Sequence, residues 1–371
     1  MQIPYYSFKG SNQNIENEVL QTFRNVFNSG WYLQGKLLDQ FESDFSNYLN
    51  TSYSAGVGSG LDALFISLKS LGIGRGDEVI LPSHTFFATA LAVMHTGAKP
   101  ILAEPDPETM NVDPIVIEKL ISSNTKSIIV VHMYGHPAGM RRILQIGKRE
   151  NIPIIEDFAQ AVGASYKDQK CGTMGKINAC SFYPVKNLGA LGDGGAITTI
   201  DEELADFCRK FRNYGSSQKY YFEEAGINSR LDELQAAILR VKLKYLDRWN
   251  LERARIAAMY LERLSDIDDV TLVSENRDME PSWHIFPIRV QKRDQLKDYL
   301  NNKGIETIIH YPIPIHLQAG FEKYVKGYKK GDLPIAEKIA NTELSLPIYP
   351  GLLETEIEYI TDCIAEFFSR K

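Results

Sequence analysis

The chain has 371 residues, of which 44% are hydrophobic and 24% are charged, and its formal net charge is −6. This composition is typical of a globular protein with a large core, and the acidic charge disfavours a nucleic-acid-binding protein, which needs a basic surface. The N-terminal residues show no signal-peptide pattern, and no apolar stretch approaches the roughly 20 residues that span a membrane. The four cysteines show no paired spacing. We therefore predict a cytoplasmic protein that binds neither a membrane nor nucleic acid.

Helix-like and strand-like patterns alternate through the first two thirds of the chain. Helical spacing of apolar residues predicts helices over 61–70, 85–95 and 140–150. Short apolar runs predict strands over 78–82, 127–133 and 152–157. The segment TSYSA, which precedes the first glycine-rich stretch, is expected to be a poor strand. The alternation predicts an α/β domain with a mainly parallel sheet flanked by helices.

The pattern changes after about Arg230. A long helical stretch over 231–264 predicts either one bent helix or two helices. Beyond it, the sequence predicts a strand at 284–290, a helix at 293–304 and a final amphipathic helix at 355–371. We therefore divide the chain into a large domain, residues 1–245, and a smaller C-terminal α+β domain, residues 246–371.

The first segment that carries chemistry is GVGSGLDAL, residues 56–64. Glycines that lead directly into a helix expose backbone N–H groups at the positive end of the helix dipole, which favours a phosphate. A simple helix-entry turn remains an equal alternative from these residues. A dinucleotide-binding fold is a distant one, because the spacing differs from G-x-G-x-x-G.

The second segment is IIEDFAQA, residues 154–161, where an apolar strand ends in Glu156 and Asp157, with Gln160 three residues after Asp157. Ligands of open α/β sheets bind at the carboxyl ends of strands. A carboxylate at this position could pair with a protonated ring nitrogen of a cofactor. The alternatives are a solvated acidic strand end and a metal ligand.

The third segment places Lys186 after a strand-like SFY and before a glycine-rich loop. A lysine in a partly dry loop loses its proton more easily and can form a Schiff base. An ordinary surface lysine is the alternative.

The fourth segment, residues 212–237, mixes aromatic residues and cations with Asn228 ahead of the long helix, and by itself it indicates no more than a loop.

In this order the four segments resemble the DegT/StrS family of nucleotide-sugar aminotransferases, which use pyridoxal 5′-phosphate (PLP) and have PLP fold type I. The resemblance extends from residue 29 to residue 318. It is most specific at YPVKNLGALGDGGA and NSRLDELQAA. The resemblance implies a large domain with a mainly parallel mixed sheet, a smaller C-terminal α+β domain, and an aminotransferase activity.

The resemblance also implies roles around the cofactor ring. Lys186 is expected to hold PLP through a Schiff base and to move the reacting proton. Asp157 is expected to pair with the pyridine nitrogen, Gln160 to lie near the cofactor hydroxyl, and Phe86 to stack on the ring.

For the phosphate, the resemblance implies the Ser181 side chain and the amides of Gly60, Leu61 and Asp62. Asn228 is expected to reach the phosphate from the partner subunit, which implies a homodimer with shared active sites. Many relatives carry Thr at the position of Leu61, so here the amide must act without a hydroxyl.

Similarity to family members that act at sugar carbon 3 implies substrate contacts. Lys219 of the partner subunit is the candidate for the diphosphate, while Tyr183, His310 and Tyr311 are candidates near the sugar or the diphosphate. His132 and His136 have the spacing of metal ligands on a helix, but the neighbouring Gly and Pro disfavour a helix, and we predict no metal site.

The predicted reaction is a PLP-dependent transamination from L-glutamate to a dTDP-linked 3-keto-6-deoxyhexose, giving a dTDP-3-amino-3,6-dideoxyhexose. Lysine at position 186, where related dehydratases have histidine, favours transfer. The alternatives are transfer to a 4-keto-sugar or a cyclitol ketone, a nicotinamide (NAD) oxidoreductase, and a non-catalytic PLP-fold binding protein or regulator.

Overall fold

The computed structural model describes residues 1–274 and 277–369. Its helices within these ranges are α1 (Lys9–Asn12), α2 (Glu16–Ser29), α3 (Lys36–Leu49), α4 (Gly60–Ser70), α5 (Phe87–Thr96), α6 (Pro114–Leu120), α7 (Met140–Glu150), α8 (Glu202–Phe211), α9 (Glu233–Leu243), α10 (Leu246–Leu264), α11 (Arg293–Asn302), α12 (Ala319–Tyr324), α13 (Pro334–Thr342) and α14 (Glu354–Ser369). Short 3₁₀ turns occur at Met133–Gly135 and Ile315–Leu317.

The strands are β1 (Tyr53–Val57), β2 (Glu78–Pro82), β3 (Lys99–Ala103), β4 (Thr125–Val131), β5 (Ile154–Asp157), β6 (Ser165–Tyr166), β7 (Gln169–Lys170), β8 (Ile177–Ser181), β9 (Gly195–Thr199), β10 (Ser216–Gln218), β11 (Tyr221–Phe222), β12 (Thr271–Leu272), β13 (Met279–Glu280), β14 (Phe286–Arg289) and β15 (Glu343–Leu346). Strand β2 and helix α7 have the bounds that the sequence predicts.

A seven-stranded sheet forms the centre of the large domain, in the order β1-β9-β8-β5-β4-β2-β3. Strand β9 is antiparallel to β8 and β1, and the other neighbouring pairs are parallel. Residues of β4 and β5 are buried throughout or nearly so, because helices cover both faces of the sheet. The prediction of a mainly parallel sheet flanked by helices is confirmed.

One prediction about the sheet is wrong. The segment expected to be a poor strand contributes to β1, which pairs with β9 through Ala55 and Ile197. Ala55 and Val57 are buried in the core. Burial and pairing with β9 outweigh the weak local preference of its serines for strand structure, since strand preference depends strongly on context.

The C-terminal part contains the antiparallel sheet β12-β14-β15 and helices α10, α11 and α14. The long stretch predicted as one helix or two is two, α9 and α10. Ile3 of the N-terminal segment packs in the core of this C-terminal part, while Phe321 and Ile339 pack with the core of the large domain. The division at residue 245 stays a prediction.

None of the described helices combines the length and the apolar composition needed to cross a membrane.

Candidate active site

The N-terminus of α4 and the end of β8 form one side of the site. Ser59 caps the helix by accepting the Asp62 N–H at 3.1 Å, so the Asp62 amide already has a protein partner. The N–H groups of Gly60 and Leu61 have no protein acceptor in the part of the chain that the structure describes. A Cβ on Gly60 would lie 2.6 Å from Cβ of Ser181. Two free amides and the Ser181 hydroxyl therefore face the same small space, as a phosphate requires.

Ser229 ties this helix start to the loop before α9. Its hydroxyl donates to Oδ2 of Asp62 at 2.7 Å and accepts the Gly58 N–H at 2.9 Å. The adjacent Asn228 is exposed, and with Gly58, Ser59 and Asp62 of its own chain it lines a cavity of about 510 Å³. The expectation that Asn228 contacts the phosphate of the partner subunit stays a prediction.

The carboxylate of Asp157 lies buried at the end of β5. Thr89 of α5 donates to its Oδ2 at 3.2 Å, and the Ala159 N–H donates to its Oδ1 at 3.2 Å. Burial raises the pKa of Asp157, while the positive charge of Lys186 opposes that rise. A buried carboxylate of this kind is stabilised by a cation such as a protonated ring nitrogen.

Lys186 follows β8 by one turn, and its N–H donates to the Tyr183 carbonyl at 2.8 Å. Desolvation lowers the pKa of the Lys186 ammonium to about 8, although Asp157 and Cys180 act in the opposite direction. Part of the population therefore carries a neutral amine near pH 7, which is the nucleophilic form of lysine.

Phe86 and Tyr311 lie on the open side of the site. Phe86 is 57% exposed at the start of α5, and its ring centroid is 5.6 Å from that of Tyr311. Gln160 is held in place because its Nε2 donates to the Tyr311 hydroxyl at 3.3 Å and its Oε1 accepts the Tyr134 N–H at 2.6 Å. The exposed ring of Phe86 is available to stack on a planar ligand.

His310 is a half-buried side chain next to Tyr311, with ring centroids 5.4 Å apart. Its Nδ1 lies 2.8 Å from Oγ of Ser345, and its backbone N–H donates to Oε2 of Glu343 at 2.6 Å. Burial, aided by the charge of Lys186, lowers the pKa of His310 to about 4, so its imidazole is neutral near pH 7. The sequence reasoning missed Ser345, Glu343 and Thr89, because none of them belongs to a recognisable motif.

Lys219 lies away from these groups, exposed at the β10–β11 hairpin. It lines a cavity of about 920 Å³ together with Arg209, Lys210 and Arg230, and no residue lining this cavity is Lys186, Asp157 or Phe86. An excess of cations suits a diphosphate. Tyr183 is exposed beside the Lys186 turn.

Glu156, the second carboxylate of β5, faces away from this chemistry. It forms a buried cluster with His132 and Cys171 whose ligand atoms lie within 4.8 Å of one another, a spacing that could hold a metal ion. Both oxygens of Glu156 and both ring nitrogens of His132 are already engaged: Glu156 accepts N–H donors from Gly172, Met174 and Gly175 and from Nε2 of His132, and Nδ1 of His132 accepts the Ala138 N–H. The arrangement is a clamp on the 172–175 loop.

The groups together fit PLP. Free amides and a hydroxyl suit its phosphate, an open aromatic face suits its ring, a buried carboxylate suits its protonated nitrogen, and an amine of lowered pKa suits its aldehyde. The last three features are provided by Phe86, Asp157 and Lys186 in that order, and Thr89 supports Asp157 by donating a hydrogen bond to its carboxylate.

Comparison with known proteins supports this chemistry. Residues 13–365 match the DegT/DnrJ/EryC1/StrS aminotransferase family. The chain is 43% identical over 368 residues to the dTDP-3-amino-3,4,6-trideoxy-alpha-D-glucose transaminase of Streptomyces venezuelae, covering 99% of this chain and 97% of the relative. It is 44% identical over 365 residues to the dTDP-3-amino-3,6-dideoxy-alpha-D-galactopyranose transaminase of Aneurinibacillus thermoaerophilus, covering 98% and 99%. The crystal structure of DesV from S. venezuelae superposes with a TM-score of 0.97 at 43% identity, covering 100% of this chain and 99% of that chain.

Proposed function

Because the chain belongs to the DegT/DnrJ/EryC1/StrS aminotransferase family, we propose that it transfers the amino group of L-glutamate to a dTDP-linked 3-keto-6-deoxyhexose, forming a dTDP-3-amino-3,6-dideoxyhexose. The enzyme is a PLP-dependent sugar transaminase of PLP fold type I. The observation that carries the finer proposal is the identity of 43% and 44%, over almost the whole chain, to two transaminases of dTDP-linked 3-amino sugars.

When bound, PLP supplies an electron sink that lets an amino group pass from an amino acid to a ketone. Lys186 would hold the cofactor through its amine and would act as the base that moves the proton at the amino-bearing carbon. The carboxylate of Asp157 would keep the ring nitrogen protonated through a charge-assisted hydrogen bond. The amides of Gly60 and Leu61 and the hydroxyl of Ser181 bind the phosphate.

The substrate is held by groups further from the cofactor. Lys219 provides a positive charge for the diphosphate of the nucleotide sugar. His310, Tyr311 and Tyr183 provide a neutral imidazole and two phenols for the sugar oxygens. The Asp62 amide, which Ser59 already occupies, is the weakest of the proposed phosphate donors.

We also propose that the enzyme works as a homodimer with shared active sites. Large apolar side chains are exposed on α2 and in the segment after it, namely Leu20, Phe23, Phe27, Trp31, Tyr32 and Leu33. Contiguous exposed apolar surface of this kind marks an interaction site. A second copy of the chain is the occupant that also brings Asn228 and Lys219 to an active site. The cytoplasmic location stays a prediction.

The first test is the absorbance spectrum of the purified protein beside that of Lys186→Ala, before and after glutamate is added. The wild type is expected to show a visible band that glutamate bleaches, and the variant is expected to lack that normal band. Isomeric dTDP-linked 3-keto and 4-keto sugars are then offered to the aminated enzyme. Restoration of the band by the 3-keto sugar supports the proposal, and restoration by the 4-keto sugar alone contradicts it.

A further inference from the structure

Three hydrogen bonds join His310 to a buried carboxyl group of β15. Nδ1 of His310 lies 2.8 Å from Oγ of Ser345, and Oγ of Ser345 is in turn hydrogen-bonded to Oε1 of Glu343. The backbone N–H of His310 donates to the other carboxyl oxygen, Oε2, at 2.6 Å. Ser345 also pairs with Ile308 through backbone hydrogen bonds, which fixes the strand against the loop that carries His310.

The protonation state of Glu343 decides whether Nε2 of His310 is a hydrogen-bond donor or a hydrogen-bond acceptor. Ser345 has one hydroxyl hydrogen and two lone pairs, so it donates to one of His310 and Glu343 and accepts from the other, while the hydroxyl of Tyr5, which also hydrogen-bonds to Ser345, donates to the second lone pair. With Glu343 ionised, Ser345 donates to Glu343 and accepts the Nδ1–H of His310, which leaves Nε2 as an acceptor. With Glu343 protonated, Glu343 donates to Ser345, Ser345 donates to Nδ1, and Nε2 carries the hydrogen.

Nε2 is free to take part in binding. Within the described residues it has no hydrogen-bond partner, and the ring is half-buried beside Tyr311, which contacts Phe86 and Gln160. The keto oxygen and the phosphate oxygens of a nucleotide-linked keto-sugar only accept hydrogen bonds. An imidazole that donates from Nε2 therefore suits them, and one that accepts there does not.

We propose that Glu343 and Ser345 are positioning residues that set whether His310 presents Nε2 as a hydrogen-bond donor or as an acceptor, and that the donor form binds the keto-sugar. The substrate part of this inference rests on the proposed function, because it assumes that His310 faces the sugar. The relay itself rests only on the hydrogen bonds among these three residues.

The electrostatic surroundings of Glu343 place its change of protonation, and with it the change of the His310 tautomer, near neutral pH. Glu343 is fully buried, and burial raises its pKa to about 8, against the effects of Ser345, the His310 N–H and Arg293. Among the described residues, the ionisable groups that interact electrostatically with Glu343 or His310 are Tyr5, Tyr134, Tyr311, Arg293, Lys186, His84 and His284. The pKa of His310 is lowered to about 4, so its ring stays neutral while Glu343 titrates and only its tautomer changes.

The test measures the tautomer of His310 by ¹⁵N NMR of the PLP-loaded enzyme labelled at histidine, with His310→Asn used for assignment. As the pH rises from about 6.5 to about 9.5, the wild-type hydrogen is expected to move from Nε2 to Nδ1. Glu343→Gln, whose amide donates to Ser345 at every pH, is expected to keep it on Nε2. Ser345→Ala is expected to abolish the transition, because it breaks the relay.

A wild-type tautomer that stays constant over this pH range, or a transition that persists in Glu343→Gln, overturns the relay. These outcomes need no sugar, so they are separate from a failure of the proposed function.

In the half-reaction with the keto-sugar, the wild-type KM is expected to rise up to tenfold per pH unit above about pH 8. Glu343→Gln is expected to lose that dependence, while the glutamate half-reaction of both proteins shows the same pH profile. An equal pH dependence of KM in both proteins refutes the role of the donor form.

Discussion

The hydroxyl of Thr89 donates to Oδ2 of Asp157 across 3.2 Å. Thr85 lies one helical turn earlier, with its Oγ1 3.1 Å from that of Thr89. Because the Ala159 N–H occupies Oδ1, each oxygen of the buried carboxylate has one protein donor. The start of α5 therefore supplies both the ring face of Phe86 and the hydroxyl that orients the carboxylate expected at the cofactor nitrogen.

Replacing Thr89 by Val removes this hydroxyl while keeping the shape of the side chain. A hydrogen bond to a charged group contributes about 1.5–3 kcal/mol, so we expect PLP to bind the apoenzyme roughly ten- to hundredfold more weakly. The dissociation constant is measured by titrating apoenzyme with PLP. Thr89→Ser keeps a hydroxyl and is expected to remain within a few-fold of the wild type. Unchanged affinity in Thr89→Val would show that the bond has no role in cofactor binding.

Gly60 is required where α4 meets β8. In Gly60→Ala the new Cβ would lie 2.6 Å from Cβ of Ser181, so the helix start must move away and its amides leave the phosphate position. We expect PLP affinity to fall at least roughly tenfold and the free energy of unfolding to fall by about 1–3 kcal/mol. Gly139→Ala is the control, since nothing lies within 4 Å of its added Cβ. Equal PLP affinities in the two variants would contradict the close approach.

The sequence is informative about the fold where local pattern and burial agree. The continuous apolar run of β2 matches a strand buried on both faces, and the helical spacing of apolar residues in α7 matches a helix buried on one face, so both patterns give the observed bounds. The sequence does not predict β1 because its three middle residues, Ser54, Ala55 and Gly56, are small and have weak strand preference, and pairing with β9 makes the segment a strand. That pairing joins segments about 140 residues apart, which no local pattern records.

For the candidate site, sequence motifs identify the groups expected to touch the cofactor but not those that support them. Asp157 ends a buried strand and Lys186 lies one turn after another, but this placement alone leaves a solvated carboxylate and a surface lysine as alternatives, and the family resemblance is what assigns their roles. Glu343 and Ser345 reach His310 only through the folding of β15 against the loop at 308. Glu156 and Asp157 are neighbours in a strand, so their side chains point to opposite faces of the sheet. The sequence does not show which face holds the cofactor, and only the contacts of the two carboxylates distinguish their roles.

The two adjacent carboxylates of β5 are expected to respond differently to loss of charge. Glu156→Gln places an amide against N–H donors from Gly172, Met174 and Gly175, which leaves buried donors without acceptors. We expect a loss of about 2–5 kcal/mol in the free energy of unfolding, measured by urea denaturation of the apoenzyme. Asp157→Asn is expected to unfold at nearly the wild-type urea concentration but to bind PLP weakly. Equal stability of the two variants would contradict the clamp.

The rate of PLP capture by the apoenzyme should depend on pH through Lys186. Its pKa is lowered to about 8, so the neutral amine makes up roughly one tenth of the population at about pH 7 and roughly nine tenths at about pH 9. We expect the rate constant, followed by absorbance in stopped flow, to rise almost tenfold over this range and then to level off. A rate that still rises tenfold per pH unit above about pH 9 would indicate a lysine with an ordinary pKa.

The free energy of unfolding of the apoenzyme should also increase with pH between about 8 and 10.5, because in this range Lys186 is protonated in the unfolded chain and neutral in the folded one.

The exposed face of α2 provides the test of the dimer. Phe27 is 64% exposed and stacks on Phe23, with ring centroids 6.5 Å apart. If a second copy covers this face, Phe27→Glu places a charge in an apolar interface and is expected to convert the dimer to monomer, measured by light scattering after gel filtration. Leu251→Glu, at a position 72% exposed on α10, is the matched control and should stay dimeric. Since Asn228 and Lys219 are proposed to act in the partner's site, the monomer should also bind PLP and the nucleotide sugar more weakly. A Phe27→Glu dimer with wild-type affinity for both would place the interface elsewhere.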